Sequence, residues 1–228
     1  YCKQNQVLPF PIYKHILKNE FKFRAKKLSI GYAKALAELI RNNTDPEMHL
    51  LALHLDDCSM KDLEFAAILY GIHRSITFLP SIQSIIYSNN EIGSQSLDAL
   101  KDLLKNQQNV ARLKVLNFSN VTFEKMHDLR AFVNILGAAA DDTEAIIPSL
   151  ETLSLTQVNL SNNEVVSKLC NFVSGNTSLR HLKLSACNLN AKQLSQIVEQ
   201  LAGNTNMKSL DLSLNTVSDP KTSEVHIL

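Results

Sequence analysis

The residues with the most chemical potential are two histidines, a scatter of carboxylates and four cysteines. His54 stands two positions before Asp56, and His181 lies in a run rich in serine. Together they could suggest Ser–His–Asp hydrolysis, in which a base activates a hydroxyl and a carboxylate orients the base. That chemistry also needs a nucleophile elbow or oxyanion donors, and the chain has no G-x-S-x-G. It also lacks the glycine patterns G-x-x-x-x-G-K-[ST] and G-x-G-x-x-G, which cradle phosphates. Asp141, Asp142 and Glu144 gather three acids without the Asn/Gly framework of a calcium loop, so a solvated turn is expected there. Cys2, Cys58, Cys170 and Cys187 show neither C-x-x-C nor a Cys/His spacing suited to zinc. The expectation is a protein with no catalytic residues, no metal and no cofactor.

The elements that must position these residues follow a repeat. Leu179, Leu182, Leu184, Cys187 and Leu189 fit L-x-x-L-x-L-x-x-(N/C)-x-L, and Met207, Leu210, Leu212, Asn215 and Val217 repeat it 28 positions later. The template can be laid down seven times, with its last apolar position at Ile30, Met60, Ile92, Phe123, Leu160, Leu189 and Val217. The paired strand slots are then Phe23/Ala25, Leu53/Leu55, Ile85/Tyr87, Leu116/Phe118, Leu153/Leu155, Leu182/Leu184 and Leu210/Leu212. An amphipathic helical pattern follows each template, clearest in Leu194–Leu201. Gly175 and Gly203, also 28 apart, are placed to close helices in the left-handed conformation, and Gly31 and Gly93 share a position just after the last apolar slot.

A period of this size marks a solenoid. The chain resembles leucine-rich repeat proteins of the ribonuclease-inhibitor-like class over about residues 20–217. The resemblance implies an α/β fold, a horseshoe with a parallel sheet on the concave side and helices on the convex side. Strands stack about 4.8 Å apart whereas helices need about 8–10 Å, and this mismatch bends the array. Residues 1–19 are expected to be an N-terminal cap or the end of a preceding segment. Residues 20–228 form one repeat domain of about seven units, expected to be truncated at its C-terminal end. The helix expected after Val217, with Asp219 as N-cap and Pro220 in its first turn, has only Lys221 to Leu228 to build on. The long step between Phe123 and Leu160 places an insertion at residues 137–148.

Strand alternation directs the residues between the leucines into the concavity. Those chosen as candidate partner contacts are Lys22, Arg24, His54, Asp56, Asp57, Asn117, His181, Lys183 and Asp211. Lys26 belongs to the same basic first strand. The middle of the face is small and neutral and its ends are charged. The chain has no Trp to serve as an interface anchor.

The function expected is a non-enzymatic scaffold or adaptor whose partner is another protein. A formal net charge of +1 gives no attraction to nucleic acid, and no apolar run is long enough to insert in a membrane. Buried free thiols fit a reducing, intracellular location, cytoplasmic or cytoskeletal. Against this stand five N-x-S/T triplets, at Asn42, Asn117, Asn120, Asn159 and Asn176. Repeats of this class occur in tropomodulin-like and CARMIL-like actin regulators, in axonemal proteins and in a Ran-activating protein. A cytoskeletal regulator and a GTPase-activating protein are therefore the alternatives. The chain is expected to be part of a longer protein or a larger assembly.

Overall fold

The computed structural model describes residues 16–17, 19–25, 27–42, 50–75, 81–105, 111–136, 147 and 149–216. The expectations for residues 1–15, for the insertion at 137–146 and for the segment after Thr216 lie outside them.

Strands β1 (Ile16–Leu17), β2 (Glu20–Arg24), β3 (Ala52–Asp56) and β4 (Ser84–Ile86) are followed by the short β5 (Glu91–Ile92). Then come β6 (Val115–Asn117), the short β7 (Thr122–Phe123), β8 (Thr152–Ser154), β9 (His181–Lys183) and β10 (Ser209–Asp211). The interleaved helices are α1 (Ile30–Arg41), α2 (Asp62–His73), α3 (Ser94–Lys105), α4 (Met126–Leu136), α5 (Asn163–Gly175) and α6 (Ala191–Leu201). The main sheet runs β1-β2-β3-β4-β6-β8-β9-β10, with β1 antiparallel to β2 and every other pair parallel. β5 and β7 form a second two-stranded parallel sheet at the turns. The architecture is a leucine-rich repeat solenoid, strands on the concave side and helices on the convex side.

The slots work as the template requires. Leu53, Ile85, Leu116, Leu153 and Leu182 form one register line and all are fully buried. Leu210 continues that line but is 37% exposed, because no further repeat covers β10 among the described residues. Under the sheet, Phe65 stacks on Tyr87 with ring centroids 3.6 Å apart, and Phe118 packs against Phe132 at 4.9 Å.

The first repeat is displaced from its expected register. Phe21 pairs with Leu53 and Phe23 with Leu55, so the slots are Phe21/Phe23 rather than Phe23/Ala25. Leu28, 3% exposed, takes the last apolar slot, and Ile30 starts α1. The shift is two residues, and two residues preserve strand alternation. The leucine pattern therefore could not resolve it, and Lys22 and Arg24 stay on the concave side.

The glycines also behave differently from expectation. No described glycine has positive φ. Gly31 sits inside α1, away from the position of Gly93. The left-handed residue of each repeat is instead Ala25, Asp57, Asn89, Asn120, Gln157, Ala186 or Leu214, with φ between 50 and 63°. The first six donate their N–H to the next repeat, on Asp56, Ser88, Ser119, Thr156, Ser185 and Ser213 in turn, at 2.7–3.1 Å. One such residue at the same place in each unit thus turns the chain out of the strand while keeping the ladder intact, and Asn19, Ser59 and Asn188 are further left-handed positions in three of the units. Gly93 is needed for close approach. A Cβ there would lie 2.9 Å from the carboxyl carbon of Asp62, which is held by the N–H groups of Gly93, Gln95 and Ser96 at the start of α3.

The asparagine/cysteine slot ties the turns together. Asn90 Oδ1 accepts the N–H groups of Cys58 (3.1 Å) and Met60 (3.0 Å), and its amide donates to Leu55 O. Asn215 does the same for Cys187, Leu189 and Leu184 O. Cys58 and Cys187 are fully buried, and their sulfurs lie within hydrogen-bond reach of the backbone carbonyls of Phe23 and Leu155.

Candidate partner-binding face

Strand register sorts the concave residues into three columns. The first runs Glu20, Ala52, Ser84, Val115, Thr152, His181, Ser209. The second runs Lys22, His54, Ile86, Asn117, Ser154, Lys183, Asp211. The third begins with Arg24 and Asp56 and continues through Ser88, Ser119, Thr156, Ser185 and Ser213 just past the strand ends. Eight of the nine candidate residues therefore lie on one sheet face. Asp57 is the left-handed residue beyond it, exposed on the rim.

Most of the charged candidates are engaged within the chain. Lys22 pairs with Glu20, and Arg24 Nε lies 3.1 Å from Asp56 Oδ2. Asp56 Oδ1 also accepts from Ser88 Oγ at 2.6 Å and from Asn89 Nδ2 at 2.9 Å. The amide of Asn120 extends this network to Asn89 Oδ1. The Ser88 hydrogen bond leads the effects that hold the Asp56 carboxyl below its ordinary pKa, and Asn89 and Arg24 add to it. Asp56 thus braces three repeats, so reversing its charge costs stability as well as changing the rim. Burial, with Lys22 next to it, lowers the pKa of His54 and favours its neutral form. At the other end, His181 Nδ1 is 2.8 Å from Ser209 Oγ, and Asp211 accepts from the Ser213 hydroxyl and N–H. Those two bonds lower the Asp211 pKa. Asn117 Oδ1 accepts from Ser119 N–H, and Lys183 is exposed.

The Ser–His–Asp arrangement does not assemble. The hydrogen-bond partners of Asp56 are an arginine, a serine and an asparagine, and the partner of His181 is a serine on the last strand. Among the described residues no group of three or more His, Cys, Asp or Glu could hold a metal ion. The acids at 141, 142 and 144 lie outside them. The triplet at Asn176 is closed to glycan in the folded chain, since Asn176 is 2% exposed and donates to Ile147 O. Among the described residues no helix is long and apolar enough to cross a membrane.

Sequence reasoning missed a fourth column at the entrance to the strands: Asn19, Leu51, Gln83, Lys114, Glu151, Arg180 and Lys208. The carbonyls of Leu51, Gln83, Lys114, Glu151 and Arg180 each accept two consecutive N–H groups from the next repeat, at 2.8–3.1 Å. The template treats these positions as arbitrary, so only their spacing relative to the leucines could have revealed them.

No protein-family model matches the chain, and no curated protein matches it in sequence. Solved structures do resemble it in fold. The structure titled leiomodin-1 actin-binding site 2 aligns with a TM-score of 0.53 and 14% identity, over 78% of this chain and 90% of that one. The tropomodulin C-terminal domain of Caenorhabditis elegans aligns with a TM-score of 0.43 and 14% identity, over 86% and 93%. An internalin of Listeria monocytogenes aligns at 0.41 and 18%, over 80% of this chain and 46% of that one.

Proposed function

We propose that this chain is a non-enzymatic scaffold or adaptor that holds another protein on the concave face of its repeats. The observation that carries the reading is the middle of that face. Across β4, β6 and β8 it presents Ile86, Val115, Asn117 and Thr152, small or apolar and half-buried, on strands locked in register. Such a surface accepts a convex or extended partner without displacing charge, and the engaged ends fix its orientation. The repeat steps, with a full helix in each described unit from that of β2 to that of β9, favour the ribonuclease-inhibitor-like class. The buried free thiols of Cys170 and Cys187 favour a reducing, intracellular setting. The reading is tested by placing a photo-crosslinking residue at Thr152 and another at Lys101 on the exposed side of α3. Partner adducts are expected from Thr152. Adducts from Lys101 alone move the site to the helices.

A second reading, regulation of an actin filament, is motivated by the leiomodin-1 structure, whose title names an actin-binding site. Co-sedimentation with filamentous actin tests it: enrichment in the pellet supports it, and a fully soluble chain at saturating filament rejects it.

A further inference from the structure

The column at the strand entrances carries a charge pattern that the concave face does not use. Lys114 Nζ lies 3.0 Å from Glu151 Oε1, and Arg180 Nη1 lies 3.5 Å from Glu151 Oε2. Lys208, exposed, is the next residue of the column after Arg180 and adds to the positive field on Glu151. Two cations therefore flank one carboxylate, and a third stands one repeat beyond Arg180. Lys114 and Arg180 keep 51% and 44% of their side-chain surface in water even while paired. Lys183, exposed on β9, adds a further positive charge on the same repeat as Arg180. The doubled backbone bonds at each rung hold these side chains in a line set by strand spacing, roughly 5 Å per repeat. The column's earlier described members, Asn19, Leu51 and Gln83, are uncharged, so the positive charge is confined to the later repeats.

We propose that this rim, Lys114–Glu151–Arg180–Lys208, is a docking strip for an extended acidic polypeptide segment of the partner. The proposal rests on the reading that the chain holds another protein, and it assigns that partner's chemistry. Glu151 holds Lys114 and Arg180 along the column when the strip is empty. An incoming carboxylate between Arg180 and Lys208 meets two donors already in place, and Arg180 can engage it with its planar fork. A nucleic-acid strand fits less well. Glu151 interrupts the run of cations, and no Phe, Tyr or Trp stands in the rim column or the adjoining concave columns to stack on a base.

The experiment is fluorescence anisotropy with a labelled peptide of alternating Glu and Ser, a Gly/Ser peptide of equal length and labelled oligo-dT. Arg180→Glu and Lys208→Glu are the variants. Lys101→Glu, an equal charge reversal on the exposed side of α3, is the control. The acidic peptide is expected to bind, to weaken as salt rises through the range where the Debye length falls below about 10 Å, and to ignore the control. Each reversal should lose about five- to tenfold in affinity. Glu151→Gln, which releases Lys114 and Arg180 from their own carboxylate, should gain about threefold, an effect that misfolding cannot imitate. Tighter binding of oligo-dT than of the peptide, equal binding of the Gly/Ser peptide, or a loss on Glu151→Gln would overturn the strip. Crosslinks from Thr152 to a partner would survive such a result, so failure of the rim and failure of the concave site are told apart.

Discussion

Glycine placed at a left-handed position should stabilise this fold, opposite to its effect almost anywhere else. Gln157 is exposed, has φ of 63°, and contributes to the array through its backbone, donating its N–H to Ser185 O at 2.9 Å. An L-residue in this conformation costs about 1–2 kcal/mol from the contact of Cβ with the following carbonyl. Glycine removes that cost but adds about 0.5–1 kcal/mol of unfolded-state entropy. The difference gives Gln157→Gly a gain of about 0.5–1 kcal/mol. Gln157→Val, β-branched, should lose at least about 1 kcal/mol. Lys101→Gly, on the exposed face of α3, should lose about 0.7 kcal/mol as an ordinary helix substitution. Urea titration reads all three as midpoint shifts at constant slope. If Gln157→Gly loses as much as Lys101→Gly, the left-handed ladder is not the device that turns each unit.

Other outcomes follow from the same geometry. Leu182→Ala should cost about 2–5 kcal/mol by opening a cavity in a fully buried slot. His181→Ala, on the opposite side of the strand, should cost about 0.5 kcal/mol or less in the same titration, and equal losses would mean a one-residue error in register. Asp56 has a folded pKa below its unfolded value. Its contribution to stability is therefore complete above roughly pH 4 and is lost as pH falls through the folded value. Asp56→Asn should flatten that acid limb, and an unchanged limb would remove the carboxylate from the bracing network. Burial pushes the Cys187 thiol up to about 11. Cys187 should stay unreactive to a thiol reagent at neutral pH until urea unfolds the chain, and its rapid labelling in the native state would contradict the buried slot.

The leucine spacing makes the solenoid, the strand faces and the concave columns legible in the sequence, because burial at period two and a period near 30 are written directly in side-chain type. The first repeat escapes the template because Phe21 and Phe23 replace leucines and a two-residue slip leaves every face unchanged. The left-handed residues are invisible to it because Gln157, Ala186 and Leu214 carry no signature of that conformation, and the glycines draw attention to the wrong places. The Asp56 network and the Glu151 rim join residues about 30 positions apart through side-chain reach, which a template of apolar slots does not encode. The candidate site is thus legible as a face with charged ends and a small neutral centre, and the bracing of those ends is not.

The most direct measurement of the central claim is the affinity of a crosslinked and identified partner for three proteins: the native chain, Thr156→Trp in the concave third column, and Asp102→Lys on the exposed side of α3. With thermal unfolding matched among them, Thr156→Trp should weaken the partner by at least about tenfold, or roughly 1.4 kcal/mol, by steric exclusion from the sheet face. Asp102→Lys should bind as the native chain does. Undiminished binding by Thr156→Trp together with loss in Asp102→Lys would place the partner on the helices and contradict the account.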